Sequence, residues 1–228
     1  MAALRQWLAW HPEWLALAVC AAAWSVLLAG AGGAMPALAL CTASGVINTR
    51  ATPTLAGGVL MLLAMMAPRW LMPLRHVAFR SLHARRLRAM ALFVMGWLAL
   101  WLLAGWPLWL LPARVEAPPA VVMGLFVLAA LWHAVPLRQR SLARCHRTQP
   151  LALSGWRADA DCIRYGAQQG VDCLISCGPL MLALAVAPPA LWLMLAASGL
   201  IAAELGWPRF AGRRAALVTV LLGLAALV

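Results

Sequence analysis

Long apolar runs alternate with short arginine-bearing stretches along this chain, and the alternation predicts helices of membrane-spanning length. A span needs about 20 mostly apolar residues. Residues 14–30 form the first such run and 54–68 a shorter second. Residues 89–111, with Pro107 near the end, are the third, and 118–137 the fourth. Residues 171–187 are the fifth, closed by Pro188 and Pro189, and 190–207 the sixth. Residues 215–228 make a seventh run, short for a span. After the first run come Gly30, Gly32, Gly33 and Pro36; the apolar stretch 34–47 is expected to lie at the interface or to re-enter. The pattern predicts an all-α polytopic membrane helix bundle with six or seven transmembrane helices. It forms a single integral membrane domain over residues 1–228, with an inner loop at 138–170.

Composition sharpens the class. The chain is 65% hydrophobic with a mean hydropathy of +0.86, which excludes a soluble globular core. All 18 basic residues are Arg, against six acidic ones, for a net charge of +12. Such an excess can serve nucleic acid. Here the arginines cluster between the apolar runs, so they report topology, and no nucleic-acid partner is expected. Arg69, Arg75, Arg80, Arg85, Arg86 and Arg88 follow the second run. Arg138, Arg140, Arg144, Arg147, Arg157 and Arg164 follow the fourth, and Arg209, Arg213 and Arg214 the sixth. With Arg5, sixteen arginines fall on one side, against Arg50 and Arg114 on the other. The positive-inside rule then predicts a multi-pass protein of the inner (plasma) membrane with a cytoplasmic N-terminus. If residues 215–228 span, the C-terminus is outside. His11 and Glu13 interrupt the approach to the first run and no cleavage site follows, so that run reads as a retained span. Trp7, Trp10, Trp14, Trp70, Trp101, Trp106 and Trp109 fall near predicted span ends, where amphipathic rings favour the interface; each could equally be a packing residue.

The candidate chemistry is a stripe of soft ligands. Cys173, Cys177 and Met181 are spaced four and four, which stacks them on one helix face. Two thiols and a thioether suit a soft cation, with Cu(I) first. The Arg-derived topology puts Met65 and Met66, His133, Cys145, and Cys173 with Cys177 at the inner leaflet, from three spans and one loop. Each has a plainer reading: Met65 and Met66 as packing, His133 as a half-solvated imidazole, Cys145 as a reactive or idle loop thiol, and the cysteine pair as small helix-packing residues. Pro179 cannot donate to the Ile175 carbonyl, so a kink there would open room beside the cysteines. Asp172 could pair with an inner arginine, and Glu204 with Arg209 or another inner Arg. No nucleotide-binding loop, hydrolase triad, zinc-protease motif or C-x-x-C is present, so no enzyme is expected.

Four segments occur in a familiar order: Ala64-Met65-Met66-Ala67-Pro68; Pro136-Leu137-Arg138 with Ser141-Leu142-Ala143-Arg144-Cys145-His146-Arg147; Gly166 to Met181; and Glu204. Over roughly residues 57–204 the chain resembles the bacterial family of predicted metal-binding integral membrane proteins known as domain of unknown function 2182. That family shows an A-M-M-x-P span, a P-L-K-x-x-C-L-x-x-C-R loop and a G-x-x-H-G-x-x-C-x-G-C-C-W-x-L-M span. Met65, Met66, Cys145, Gly170, Cys173, Cys177, Leu180 and Met181 match. Ser141 and Ser176 stand where the family has cysteines, Gln169 where it has histidine, Ile175 where it has glycine and Gly178 where it has Trp. The resemblance implies a metal-binding membrane protein. Together with the stripe it leads to Cu(I) held near the cytoplasmic leaflet for trafficking or delivery, with membrane lipid and a membrane metalloprotein or complex subunit as partners. A metal-free structural or assembly subunit of a membrane complex is the alternative.

Overall fold

A computed structural model describes residues 11–12, 14–31, 55–110, 117–145, 147–187, 190–207, 210 and 212–227, and every regular element among them is helical. In chain order these are α1 (Trp14–Ala31), α2 (Leu55–Arg80), α3 (Arg86–Leu110), α4 (Pro119–Trp132), α5 (Pro136–Arg144), α6 (Gly155–Val186), α7 (Leu191–Gly206) and α8 (Arg213–Ala225), with a 3₁₀ turn at His83–Arg85. The fold is all-α. Among the described residues three helices are long and apolar enough to cross a membrane, or four if the bent pair α4–α5 counts as one span. The stretch 34–47 lies outside the described residues.

Two boundaries differ from the sequence expectation for one reason: charge does not end a helix. α2 runs through Pro68 and Pro73 to Arg80, so Arg69, Arg75 and Arg80 are helical rather than in a loop. α6 begins at Gly155 and runs 32 residues, so most of the expected inner loop at 138–170 is helix, in α5 and the first half of α6. That first half is amphipathic: Ala158, Cys162, Tyr165 and Gln169 are buried at helical spacing, while Asp159 bonds Arg85 and Arg88. The expected span 118–137 stops instead at Trp132. Pro136 holds Val135 extended, and the chain turns 69° into α5.

α6 is the central element and packs on α3, α4 and α5, while α2 packs on α1, α3 and α7. The α3–α6 contact is close because glycines line it. A Cβ on Gly166 would come within 2.0 Å of the Phe93 carbonyl oxygen, and one on Gly96 within 2.3 Å of the Ile163 carbonyl oxygen. Gly166 and Gly170 form a small-x-x-x-small stripe that lets two backbones touch. Trp70, Trp97 and Trp101 are buried and stack in succession, so Trp70 and Trp101 pack the interior rather than marking an interface.

Proline inside a membrane helix frees the carbonyl four residues earlier, and a neighbour must take it. The Cys20 thiol donates to the Ala64 carbonyl, opposite Pro68, at 3.3 Å. The Trp132 indole donates to the Ile175 carbonyl, opposite Pro179, at 2.7 Å. α6 continues as helix through Pro179, where a kink was expected, and the carbonyl that the proline frees is taken by a specific side chain.

Candidate metal centre

Cys173, Ser176 and Cys177 occupy one face of α6 and are all buried. Positions i, i+3 and i+4 adjoin on a helix, so the spacing alone brings the two thiols together. The Ser176 hydroxyl turns back onto its own helix and donates to the Asp172 carbonyl at 2.8 Å. Facing them, α2 contributes Met66, whose Sδ lies 3.8 Å from the Cys173 Sγ.

The same helix supplies Arg69. Its Nη1 lies 2.9 Å from the Cys177 Sγ, 3.7 Å from the Cys173 Sγ and 2.7 Å from the Ser176 hydroxyl. One guanidinium nitrogen therefore touches both thiols. Burial of a guanidinium without compensating charge is expensive. No carboxylate lies within salt-bridge distance of it among the described residues, and its Nε has no hydrogen-bond partner.

A second polar cluster, which meets the first at Ser176, is closed by a carboxylate. Arg138 donates from Nη2 to Glu204 at 2.5 Å and from Nε to the Ser176 carbonyl at 2.9 Å. His133 lies 2.9 Å from Glu204 through Nδ1 and 3.0 Å from the Thr219 hydroxyl through Nε2. The partner of Glu204 is thus Arg138; Arg209 lies outside the described residues. Asp172 faces Arg144 at 3.7 Å, the pairing with an inner arginine that the sequence suggested.

The candidate ligands therefore divide. Cys173, Cys177 and Met66 converge within sulfur-contact distance. Met65 and Met181 are buried in the same core, but among the described residues the thioether that accepts from a cysteine thiol is that of Met66. Cys145 is buried at the end of α5, within electrostatic range of Arg69. His133 is set apart: both ring nitrogens are committed to Glu204 and Thr219. Among the described residues no group of three or more His, Cys, Asp or Glu could hold a metal, so the centre is a two-thiol site with soft neighbours.

The chain matches the family model PpoB2, a copper chaperone, over residues 55–228. The chain belongs to this copper chaperone family. Comparison with curated proteins and with solved structures gave no match. The match starts at the first residue of α2, so every side chain of the centre lies inside it. For a copper chaperone the sulfur set is chemically apt, since thiolate and thioether donors favour Cu(I) over harder ions.

Arg69, Ser176, Arg138 and Trp132 were not singled out as parts of a site by sequence reasoning. Arg69 carried a usable signal. It lies three and four residues after Met66 and Met65, the spacing that puts all three on one face once the helix continues past Pro68. Arg138 was covered only by the general expectation that Glu204 pairs with an inner arginine, and Trp132 carried no signal, because its partner is a backbone carbonyl on another helix.

Proposed function

We propose that this chain carries Cu(I) within the bacterial inner membrane as a chaperone rather than an enzyme, and hands it to a membrane metalloprotein or complex subunit. The ion is bound as cargo by Cys173 and Cys177 with the Met66 thioether beside them. The observation that carries the reading is that one guanidinium nitrogen sits against both buried sulfurs: two soft donors share a single cation position. A pair of thiolates without a third hard ligand suits transfer, because a partner can add its own sulfur before the first ones let go. Cys145, Met65 and Met181 are reserve donors around that pair. The arginine distribution supports a cytoplasmic N-terminus and a site toward the cytoplasmic leaflet. The motif resemblance to the predicted metal-binding integral membrane family supports the same assignment.

Serines where that family has cysteines, Ser141 and Ser176, favour a second reading, a metal-free assembly subunit. One experiment separates the two. Full-length protein is purified in mild detergent under reducing conditions without chelator, supplied with Cu(I), and its metal content is measured by mass spectrometry. Stoichiometric copper that disappears in the Cys173→Ser/Cys177→Ser double variant is the expected result. A wild type without copper, or a double variant that keeps it, sinks the carrier reading.

A further inference from the structure

We infer that Arg69 sets the charge of the ion this centre accepts, selecting a monovalent soft cation over a divalent one; the inference rests on the copper-carrier reading above. The guanidinium is permanently protonated. It is buried, and the groups it touches are the Cys173 and Cys177 sulfurs and the Ser176 hydroxyl. No carboxylate lies within salt-bridge distance of it among the described residues.

The carboxylates around the centre are engaged by cations other than Arg69. Arg138 is paired with Glu204 at 2.5 Å and Asp172 with Arg144 at 3.7 Å. His133 is held by Glu204 through Nδ1 and by Thr219 through Nε2, the Thr219 hydroxyl itself donating to the Ala215 carbonyl, and the ring contacts neither cysteine sulfur among the described residues. Met66, the third sulfur in contact, is neutral. What remains is Arg69 and the two cysteines. Metal ligation requires both as thiolates, giving two negative charges against one positive.

A monovalent ion brings that sum to zero. A divalent ion leaves one uncompensated positive charge buried in a bundle of membrane-length helices, where such a charge is strongly disfavoured. Softness alone does not make this distinction. Ag(I) and Cd(II) are both thiophilic, and they differ in charge. Arg69 is therefore a positioning and specificity residue, not a ligand.

The test uses the detergent-solubilised full chain, titrated anaerobically with Ag(I) and with Cd(II), each alone, in the presence of a phosphine reductant. Metal retained per chain after desalting is read together with Cd–thiolate absorbance. The wild type is expected to retain stoichiometric Ag(I) and little Cd(II). Arg69→Gln is expected to gain Cd(II), shifting the Ag(I)/Cd(II) preference by roughly tenfold or more, and Arg69→Lys to keep the wild-type preference. A wild type that retains Cd(II) as well as Ag(I), or an Arg69→Gln preference equal to wild type, overturns the inference and leaves the carrier reading standing. A wild type that retains neither ion overturns the carrier reading itself. Should Arg69→Gln not fold, Arg69→Met, which keeps bulk and removes the charge, takes its place: a gain of Cd(II) relative to Arg69→Lys is expected, and an unchanged preference overturns the inference.

Discussion

The two polar clusters that meet at Ser176 of α6 are built from similar parts and closed differently. In one, Arg138 meets Glu204, and His133 bridges that carboxylate to Thr219. Its charges are answered inside the protein, and five elements, α4 with its C-terminal cap, α5, α6 at the Ser176 carbonyl, α7 and α8, are tied through it. In the other, Arg69 faces sulfur and a hydroxyl. A cluster whose charges are satisfied by fixed partners braces a fold. One whose cation rests on soft, exchangeable donors has a position that something else can share. The difference separates architecture from chemistry within one helix bundle.

The comparison can be broken from either side. The largest effect is expected from Cys173→Ser with Cys177→Ser, which removes copper altogether while the circular dichroism stays helical; loss of helicity would mean the thiols are structural instead. Glu204→Ala strands the Arg138 cation and is expected to cost about 3–5 kcal/mol of stability, as breaking a buried pair does. The thermal midpoint in detergent reads this, and copper per folded chain should not change. An unmoved midpoint would deny the brace. Trp132→Phe leaves the Ile175 carbonyl without a donor and should lower the same midpoint by about 1–3 kcal/mol equivalent. The smallest effect is expected from Met66→Leu, which keeps the packing volume and loses the thioether. Cu(I) affinity, measured by competition with a chromophoric chelator, should fall roughly three- to tenfold. No fall would place Met66 in the core alone.

Much of the helical layout was readable in the apolar runs. α3, α7 and α8 start and end within a few residues of the runs that announced them, because run length and helix length coincide there. The reading failed where apolar and helical are different things. α2 continues as helix beyond Pro68 because Cys20 answers the carbonyl that proline frees, and a single chain read residue by residue does not display a thiol from another helix. α6 begins well before its apolar part, since its first half buries only every third or fourth residue. For the site, the spacing of Cys173 and Cys177 was legible because helical periodicity is local. His133 was drawn in by depth alone, and depth does not say which neighbour a ring faces. Arg69 was counted as an inner-side charge, and its contact with the thiols depends on how two helices dock.

The glycine seam between α3 and α6 has a mechanical consequence. With Gly166 set against the Phe93 carbonyl and Gly96 against that of Ile163, turning α6 about its axis would drive a side chain into a backbone. The helix is keyed, and Cys173 and Cys177 keep a single bearing whatever lies between them. The opposing helix is held differently: α2 lacks two of its own backbone donors, at Pro68 and Pro73, on either side of Arg69, and borrows the Cys20 thiol for one of the carbonyls they free. The two walls of the centre thus differ in how they are fixed: the one with the thiols by backbone contact, the one with the cation and the thioether by side chains from its neighbours.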